Sequence, residues 1–497
     1  MVLATDLDLV HSGFLKVTAD TPDKVALIAD DEPYTYAELN ARAHRFALYI
    51  EDLGAQRVAL CLPNSPLVVD TFIGTLMAAG CVCLFDPGWP TPLVNTLMSD
   101  HRPDVIITPA DAIGDFSKRP SQTSLLSSEN VEAIVHQEVL SETLTSMATP
   151  ETPFLLGFTS GSSGPPKGFI RPHLTWTKSF RHSALEFEMT AQDCVLAPGP
   201  LSHGLSLYAV LETLCGGATA LIQSRFDAAL AFSSIEQHDV TTVVLVPAML
   251  DVLLEHANGK TFGGVRQIIT AGAKLSPSLR QRTTHIFPNA ETTEYYGASE
   301  LSFVTVAKGA DNCPPDSVGR AFSGVEIEIR DETGQAVRAG SVGTVWVKSG
   351  MLCSGYVGPT DGSGMRVEGL WATVGDFGHL DKEGYLFLDG REGSAITSAG
   401  YTVYPSAIEA ALISHPDIND AAVIGLRHAR WGEVIAAVVV QKDCASLSEA
   451  ALVEYCRETL EPYACPRQWV IADELVRTQS GKIDRAALTA LFDETDA

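Results

Sequence analysis

The chain has 497 residues with 45% apolar content, ample for a large core and too long for one, so two or three domains are expected. Its formal net charge of −27 argues against general binding to nucleic acid or anionic membrane, and any site for a polyanion must build its positive potential locally. No apolar run is long enough to predict a membrane span, MVLATDLDLVHSG lacks the pattern of a signal peptide, and ten scattered cysteines without a CxxC pair predict a reduced, cytoplasmic setting.

Along the chain, residues 36–53 carry helical apolar spacing and residues 57–62 read as a buried strand. Residues 67–79 are helical again and 82–85 extended. Cys81 and Cys83, two apart in that apolar run, read as buried thiols rather than a metal pair. Further strands are predicted at 105–108, 154–158, 242–246 and 267–270, with helical patterns between them, one at 173–189. Such alternation predicts an α/β fold of parallel sheets with helices on both faces. After about Val304 the composition shifts, and GVEIEIRDETG and GTVWVKSG read as short antiparallel strands of a small β-rich subdomain. DGREGSAITSAG, near Gly390, is small and polar enough for a hinge. Beyond it, strands at 421–426, 435–441 and 468–471 with a helix at 447–460 predict a separate α+β domain of about 100 residues.

The stretch TSGSSGPPKG at 159–168 lies at the carboxyl end of a predicted strand, where ligands collect in α/β sheets. Its small residues let backbone N–H groups and hydroxyls close around phosphate oxygens, and Lys167 adds a charge. It lacks the Gly-Lys-Ser/Thr of the kinase-type loop, which argues against a kinase or ATPase that releases ADP. Taken alone, it fits a linker or turn equally well.

Four further stretches follow in order: PLSHG at 200–204, YYGASE at 295–300, WATVGDFGHLDKEGYLFLDGR at 371–391 and LVRTQSGKIDR at 475–485. With the opening loop they resemble the motifs of the adenylate-forming enzymes (acyl-CoA synthetases, peptide-synthetase adenylation domains and luciferases), from about residue 22 to 488. The acyl-CoA synthetase branch is the nearest match. Val374 stands where that family usually has threonine. The resemblance implies a large body of αβαβα-type subdomains at 1–390, a hinge at 391–394 and a mobile lid domain at 395–497. It also implies a reaction: a carboxylate oxygen attacks the α-phosphorus of ATP, pyrophosphate leaves, and the acyl-adenylate passes its acyl group to coenzyme A with release of AMP.

Residue by residue, the resemblance assigns the β- and γ-phosphates to Thr159, Ser160, Gly161, Ser162, Ser163, Gly164 and Lys167. Glu300 is the implied ligand of Mg²⁺, a hard dication that prefers carboxylate oxygen, although a glutamate at a helix start would read the same. Ser299 is implied on the α-phosphate, Tyr296 on the adenine face, and Ala273, Tyr295 and Gly297 around them. Asp376 and Arg391 are implied at the ribose, since a carboxylate can accept from two vicinal hydroxyls. Lys482 is the implied catalytic cation, neutralising carboxylate and α-phosphate where charge develops. His203 is implied where acyl pocket and nucleotide meet, with Gly204, Tyr208, Ala271 and Gly272 lining the acyl side.

In amino-acid-activating relatives an aspartate follows the His203 position; here it is Gly204, and a buried unpaired ammonium would be costly. A hydrophobic carboxylic acid is therefore expected. Gly393 stands at the expected pivot, and Ser398, Ala399 and Gly400 line the expected thiol tunnel, where Ala399 replaces a usual glycine. These departures keep alternatives open: an enzyme that stops at the adenylate and passes it to a separate ligase or acyl-carrier protein, a luciferase-like oxidation, or a non-catalytic nucleotide-binding relative. Oligomeric state is not legible.

Overall fold

The computed structural model describes residues 8–116, 119–137, 143–159, 166–358, 364–391, 396–398, 401–403, 405–428, 432–442, 447–478 and 483–493. The chain divides into two compact units, one of residues 1–326 with 347–372, the other of residues 327–346 with 373–497.

The first unit is built on two sheets. In the nine-stranded sheet, Glu291–Ala298, Gln267–Ala271, Thr242–Leu245, Cys194–Leu196, Thr219–Ile222 and Val25–Ala29 run parallel in that order. One face packs on the helices Ala228–Gln237, Pro247–Glu255 and Pro277–Ile286. Leu196, Leu221, Val243 and Ile268 from the strands meet Ala231, Ile235, Leu250 and Leu279 from those helices. In the seven-stranded sheet, Pro153–Phe158, Cys81–Leu84, Arg57–Leu60, Val105–Thr108 and Ser124–Ser127 are parallel neighbours. The helix Tyr36–Asp52 begins where a capping box allows, with the Thr35 hydroxyl accepting from the Glu38 N–H and the Glu38 carboxylate accepting from the Thr35 N–H. Cys81 and Cys83 are buried, and burial raises both thiols, Cys81 to about 12.

The α/β expectation holds, with one addition that shapes the site. Both sheets end in antiparallel hairpins. Gly168–Pro172 pairs antiparallel with Pro153–Phe158, and Gly355–Val357 pairs antiparallel with Gly168–Pro172. Ser302–Lys308 likewise folds back on Glu291–Ala298. The reason is chain length. A parallel crossover needs a dozen residues or more, whereas 159–167 and 299–301 are short enough only to reverse direction.

In the second unit, Asp376–Leu380 pairs antiparallel with Leu386–Arg391. Farther along, Ile418–His428 pairs antiparallel with Gly432–Gln441, which takes Gln468–Ala472 in parallel on its other side. Alternation along the strands sends Ala421, Val423, Ile435, Ala437 and Val439 to one core with Ile408 and Leu452. Ala422, Ile424, Ala436, Val438 and Val440 go to the other, with Leu488 and Phe492. Both faces are thus buried, as near-continuous apolar runs require. Among the described residues, no helix is long and apolar enough to cross a membrane.

Tyr36, fully buried at the start of its helix, places its hydroxyl 3.0 Å from the Leu214 carbonyl and 2.7 Å from that of Ala218. Tyr36→Phe removes that donor from a buried site, and chemical denaturation should show a loss of about 1–2 kcal/mol with an unchanged denaturant slope.

Candidate active site

The phosphate-loop candidate connects the antiparallel strands Pro153–Phe158 and Gly168–Pro172. Its neck is closed by Thr159, whose N–H donates to the Lys167 carbonyl at 3.0 Å and whose hydroxyl oxygen accepts the Lys167 N–H at 3.2 Å. Ser160, Gly161, Ser162, Ser163 and Gly164 lie outside the described residues. Ser299 and Glu300 occupy the tip of the other hairpin, between Glu291–Ala298 and Ser302–Lys308. The turn is tight. A Cβ at Gly297 would collide with the Ser302 carbonyl oxygen, and Ser302 itself takes a left-handed φ of 64°. Ser299 is exposed, but Glu300 is only 4% exposed and stands in this turn rather than at a helix start.

Three contacts join the two hairpins. Arg171, in the strand leaving the phosphate loop, donates to the Ser299 carbonyl at 2.6 Å and the Met351 carbonyl at 2.7 Å. Tyr356, in the next strand, donates its hydroxyl to Glu300 Oε1 at 2.5 Å and accepts the Met365 N–H at 3.2 Å. Cys353 N–H donates to the Glu300 carbonyl at 2.8 Å. Burial first, and the Glu300 charge second, raise the Tyr356 phenol well above its usual range, so it stays a donor.

On the acyl side, His203 precedes the helix Gly204–Gly216, at whose N-terminus N–H groups are available to an anion. Its Nε2 lies 2.9 Å from Asp86 Oδ2. Burial pushes the Asp86 carboxyl up, but hydrogen bonds from His203 and from the Gly88 N–H outweigh it, and the group stays below its ordinary range. Asp86 is thus a carboxylate, and Nε2 is the donor. A Cβ added at Gly204 would meet no atom within 4 Å, so the position opens onto space. Ala271 ends its strand beside Tyr295, and Gly272, at φ 90°, starts the exposed turn that carries Ala273. Glu294 secures that turn by accepting the Leu275 N–H at 3.1 Å, with Lys274 and Arg280 each 3.2 Å away. Tyr295 packs edgewise on Phe303 at 4.7 Å, whereas its neighbour Tyr296 leaves the strand on the opposite face.

In the second unit, Asp376 and Arg391 are direct cross-strand partners, with Arg391 Nε 3.5 Å from Asp376 Oδ1. The two ribose candidates, taken from separate motif elements, therefore meet. Lys482, Gly393, Ala399 and Gly400 lie outside the described residues, as does the side chain of Ser398. The flanks of Lys482 are paired: Arg477 bridges Ile483, and the Asp484 N–H donates to the Val476 carbonyl at 2.9 Å.

The motif reading missed Arg171, Tyr356, Asp86 and Glu294. For Arg171 a signal was present, an arginine amid the small and apolar residues of GFIRP directly after the phosphate loop. The other three act through partners distant in sequence.

The family model described as AMP-binding enzyme matches residues 14–357, and the model of the AMP-binding enzyme C-terminal domain matches residues 407–482. The chain belongs to the AMP-binding enzymes. Across 96% of its length, and 97% of the relative's, it is 33% identical to the uncharacterized acyl–CoA ligase YhfT of Bacillus subtilis. Its fold matches ATP-bound MatB from Rhodopseudomonas palustris with a TM-score of 0.89, at 22% identity over 98% of this chain and 99% of that one. It also matches the O-succinylbenzoate coenzyme A synthetase MenE of Bacillus subtilis, solved with ATP and magnesium ion, with a TM-score of 0.85 at 25% identity over 96% and 99% of the two chains. These likenesses place this AMP-binding enzyme on the acyl-CoA synthetase branch, as the order of the motifs implied.

Around Tyr208, an acyl-side candidate, this AMP-binding enzyme holds a buried polar knot. Ser183 Oγ donates to the Glu212 carboxyl and lies 2.9 Å from the Tyr208 hydroxyl. Trp176, Phe180 and Phe303 enclose the Tyr208 ring. Burial raises the Glu212 carboxyl to about 8, against a partial lowering by Ser183. The folded chain then holds a proton that the unfolded chain releases near its ordinary carboxyl range, so stability should fall as pH rises from about 5 to 8. Glu212→Gln should flatten that slope. Denaturation midpoints of both forms across the window provide the check.

Proposed function

We propose that the chain activates a hydrophobic carboxylic acid with ATP and transfers the acyl group to coenzyme A. The observation that carries this reading is the joining, within one unit, of the phosphate-loop hairpin and the Ser299/Glu300 hairpin by Arg171, Tyr356 and Cys353. Two anions must meet in the first step, so the site has to neutralise charge and hold geometry more than it has to move protons.

In this reading the hydroxyls and N–H groups of the 159–168 loop, with Lys167, grip the β- and γ-phosphates. Tyr296 offers its ring to adenine, Ser299 reaches the α-phosphate, and Asp376 with Arg391 receives the ribose hydroxyls. Residues 1–390 form the nucleotide-holding body, and residues 395–497 form the lid that brings in Lys482 through the hinge at 391–394. Lys482 neutralises the substrate carboxylate and the α-phosphate as the new bond forms. The residues present suit Mg²⁺: a hard dication that also takes phosphate oxygens and water needs one well-held carboxylate, and Glu300 is that group. Among the described residues no cluster of three or more ligating side chains occurs, consistent with an ion brought in on nucleotide. Bound there, the ion would supply charge neutralisation across phosphate oxygens.

Open space at Gly204 and the small residues Ala271 and Gly272 favour an apolar acid without an ammonium group. The name of the Bacillus subtilis relative supports coenzyme A as acceptor. His203, held by Asp86, would sit where acyl pocket and nucleotide meet.

Pyrophosphate exchange into ATP, measured over a panel of apolar acids and followed by coenzyme A addition with mass detection, tests the reading. Exchange, AMP and a thioester are expected, and formation of ADP would overturn the assignment. Exchange without thioester would assign the adenylate-only alternative. Lys482→Ala should lower exchange by about 10²-fold or more, in line with removal of a charge aimed at the transition state.

A further inference from the structure

Arg171 is 3% exposed, and among the described residues no carboxylate lies within ion-pair distance of it. Its two hydrogen bonds go to main-chain carbonyls, Ser299 in the nine-stranded sheet's hairpin and Met351 just before the outer strand of the seven-stranded sheet. A buried guanidinium without a carboxylate is expensive, and an apolar side chain would fill the strand at lower cost. Strand packing therefore does not account for it.

Its position does. The residue is four places beyond Lys167, on the strand that leaves the phosphate loop, and it holds the carbonyl of Ser299, the neighbour of Glu300. Tyr356, on the strand paired with that of Arg171, holds the Glu300 carboxylate from the other side. One strand pair thus grips the turn twice, once by its backbone and once by its functional carboxylate.

We infer that Arg171 is a positioning residue: it fixes the Ser299/Glu300 turn against the root of the phosphate loop, so that Glu300 meets Mg²⁺-bearing polyphosphate in one preset geometry. This inference rests on the proposed ATP-dependent reading. Groups that orient a metal-binding side chain without touching the metal commonly alter metal affinity about 10–100-fold when removed.

The test uses the full chain carrying Arg171→Met, which keeps length and removes charge and donors, and Tyr356→Phe as a milder second variant. Calorimetric titration would measure ATP binding at a series of Mg²⁺ concentrations, with adenosine as the control ligand and circular dichroism to confirm folding. The expected result is a rise of about tenfold in half-saturating Mg²⁺ for ATP binding in both variants, with adenosine affinity unchanged. Arg171→Lys, which keeps the charge but not the two-carbonyl fork, should recover only part of the loss. An unchanged Mg²⁺ requirement in folded variants, or equal losses for ATP and adenosine, would overturn the inference while leaving the enzymatic reading intact. If Arg171→Met fails to fold, the Tyr356→Phe result decides by the same criterion. Failure of the unaltered chain to bind ATP would instead remove the reading on which the inference stands.

Discussion

A guanidinium buried between two sheets sets the geometry on which the site depends. Sheets that pack through apolar side chains alone can slide by fractions of an ångström at little cost, because dispersion is non-directional. Two hydrogen bonds from a planar, rigid fork are directional. Arg171 spends them on backbone carbonyls rather than side chains, so what it fixes is the path of the chain at Ser299 and Met351. The Cys353 N–H and the Tyr356 hydroxyl then restrain the next residue at its carbonyl and its carboxylate. A carboxylate held in this way has little rotamer freedom left to lose when it takes up a cation, which is the physical content of preorganisation.

Charge gives the same arrangement a second purpose. A chain with a net charge of −27 repels polyphosphate at long range, and salt screens that repulsion beyond about 10 Å. Attraction must therefore be short-ranged and built in. Lys167 and the buried Arg171 lie four residues apart in the chain, and burial weakens screening at Arg171. The Asp86–His203 pair shows a parallel economy on the acyl side: a buried carboxylate fixes which imidazole nitrogen carries the proton.

Much of this was legible in the chain itself. The helix expected at 36–53 is found at Tyr36–Asp52, and the strands expected at 421–426 and 435–441 are found within Ile418–His428 and Gly432–Gln441, because burial on a defined face governs those segments. Asp376 and Arg391 could be chosen from motif likeness, but their cross-strand register could not, since it arises from the turn between them. The strand Gly168–Pro172 escaped because it is bounded by glycine and proline and interrupted by arginine, which hides any period-2 pattern. Tyr356 and Asp86 escaped for a different reason. They matter through Glu300, 56 residues earlier, and His203, 117 residues later, and no local pattern encodes such pairings.

The stems beneath the candidate loops share one construction. A segment that closes on phosphate and lets pyrophosphate go cannot be locked into a core, so small residues and glycine suit it despite their entropic cost on ordering. If the stem were equally soft, the tip would wander and the cost of closure would rise. Stems here are paired: Thr159 with Lys167, Arg477 with Ile483, and the strands on either side of Ser299 and Glu300. Each stem shortens the segment whose ends must be brought together, and loop-closure entropy falls with it. The Ser299/Glu300 turn is also tethered along its own backbone, at both carbonyls.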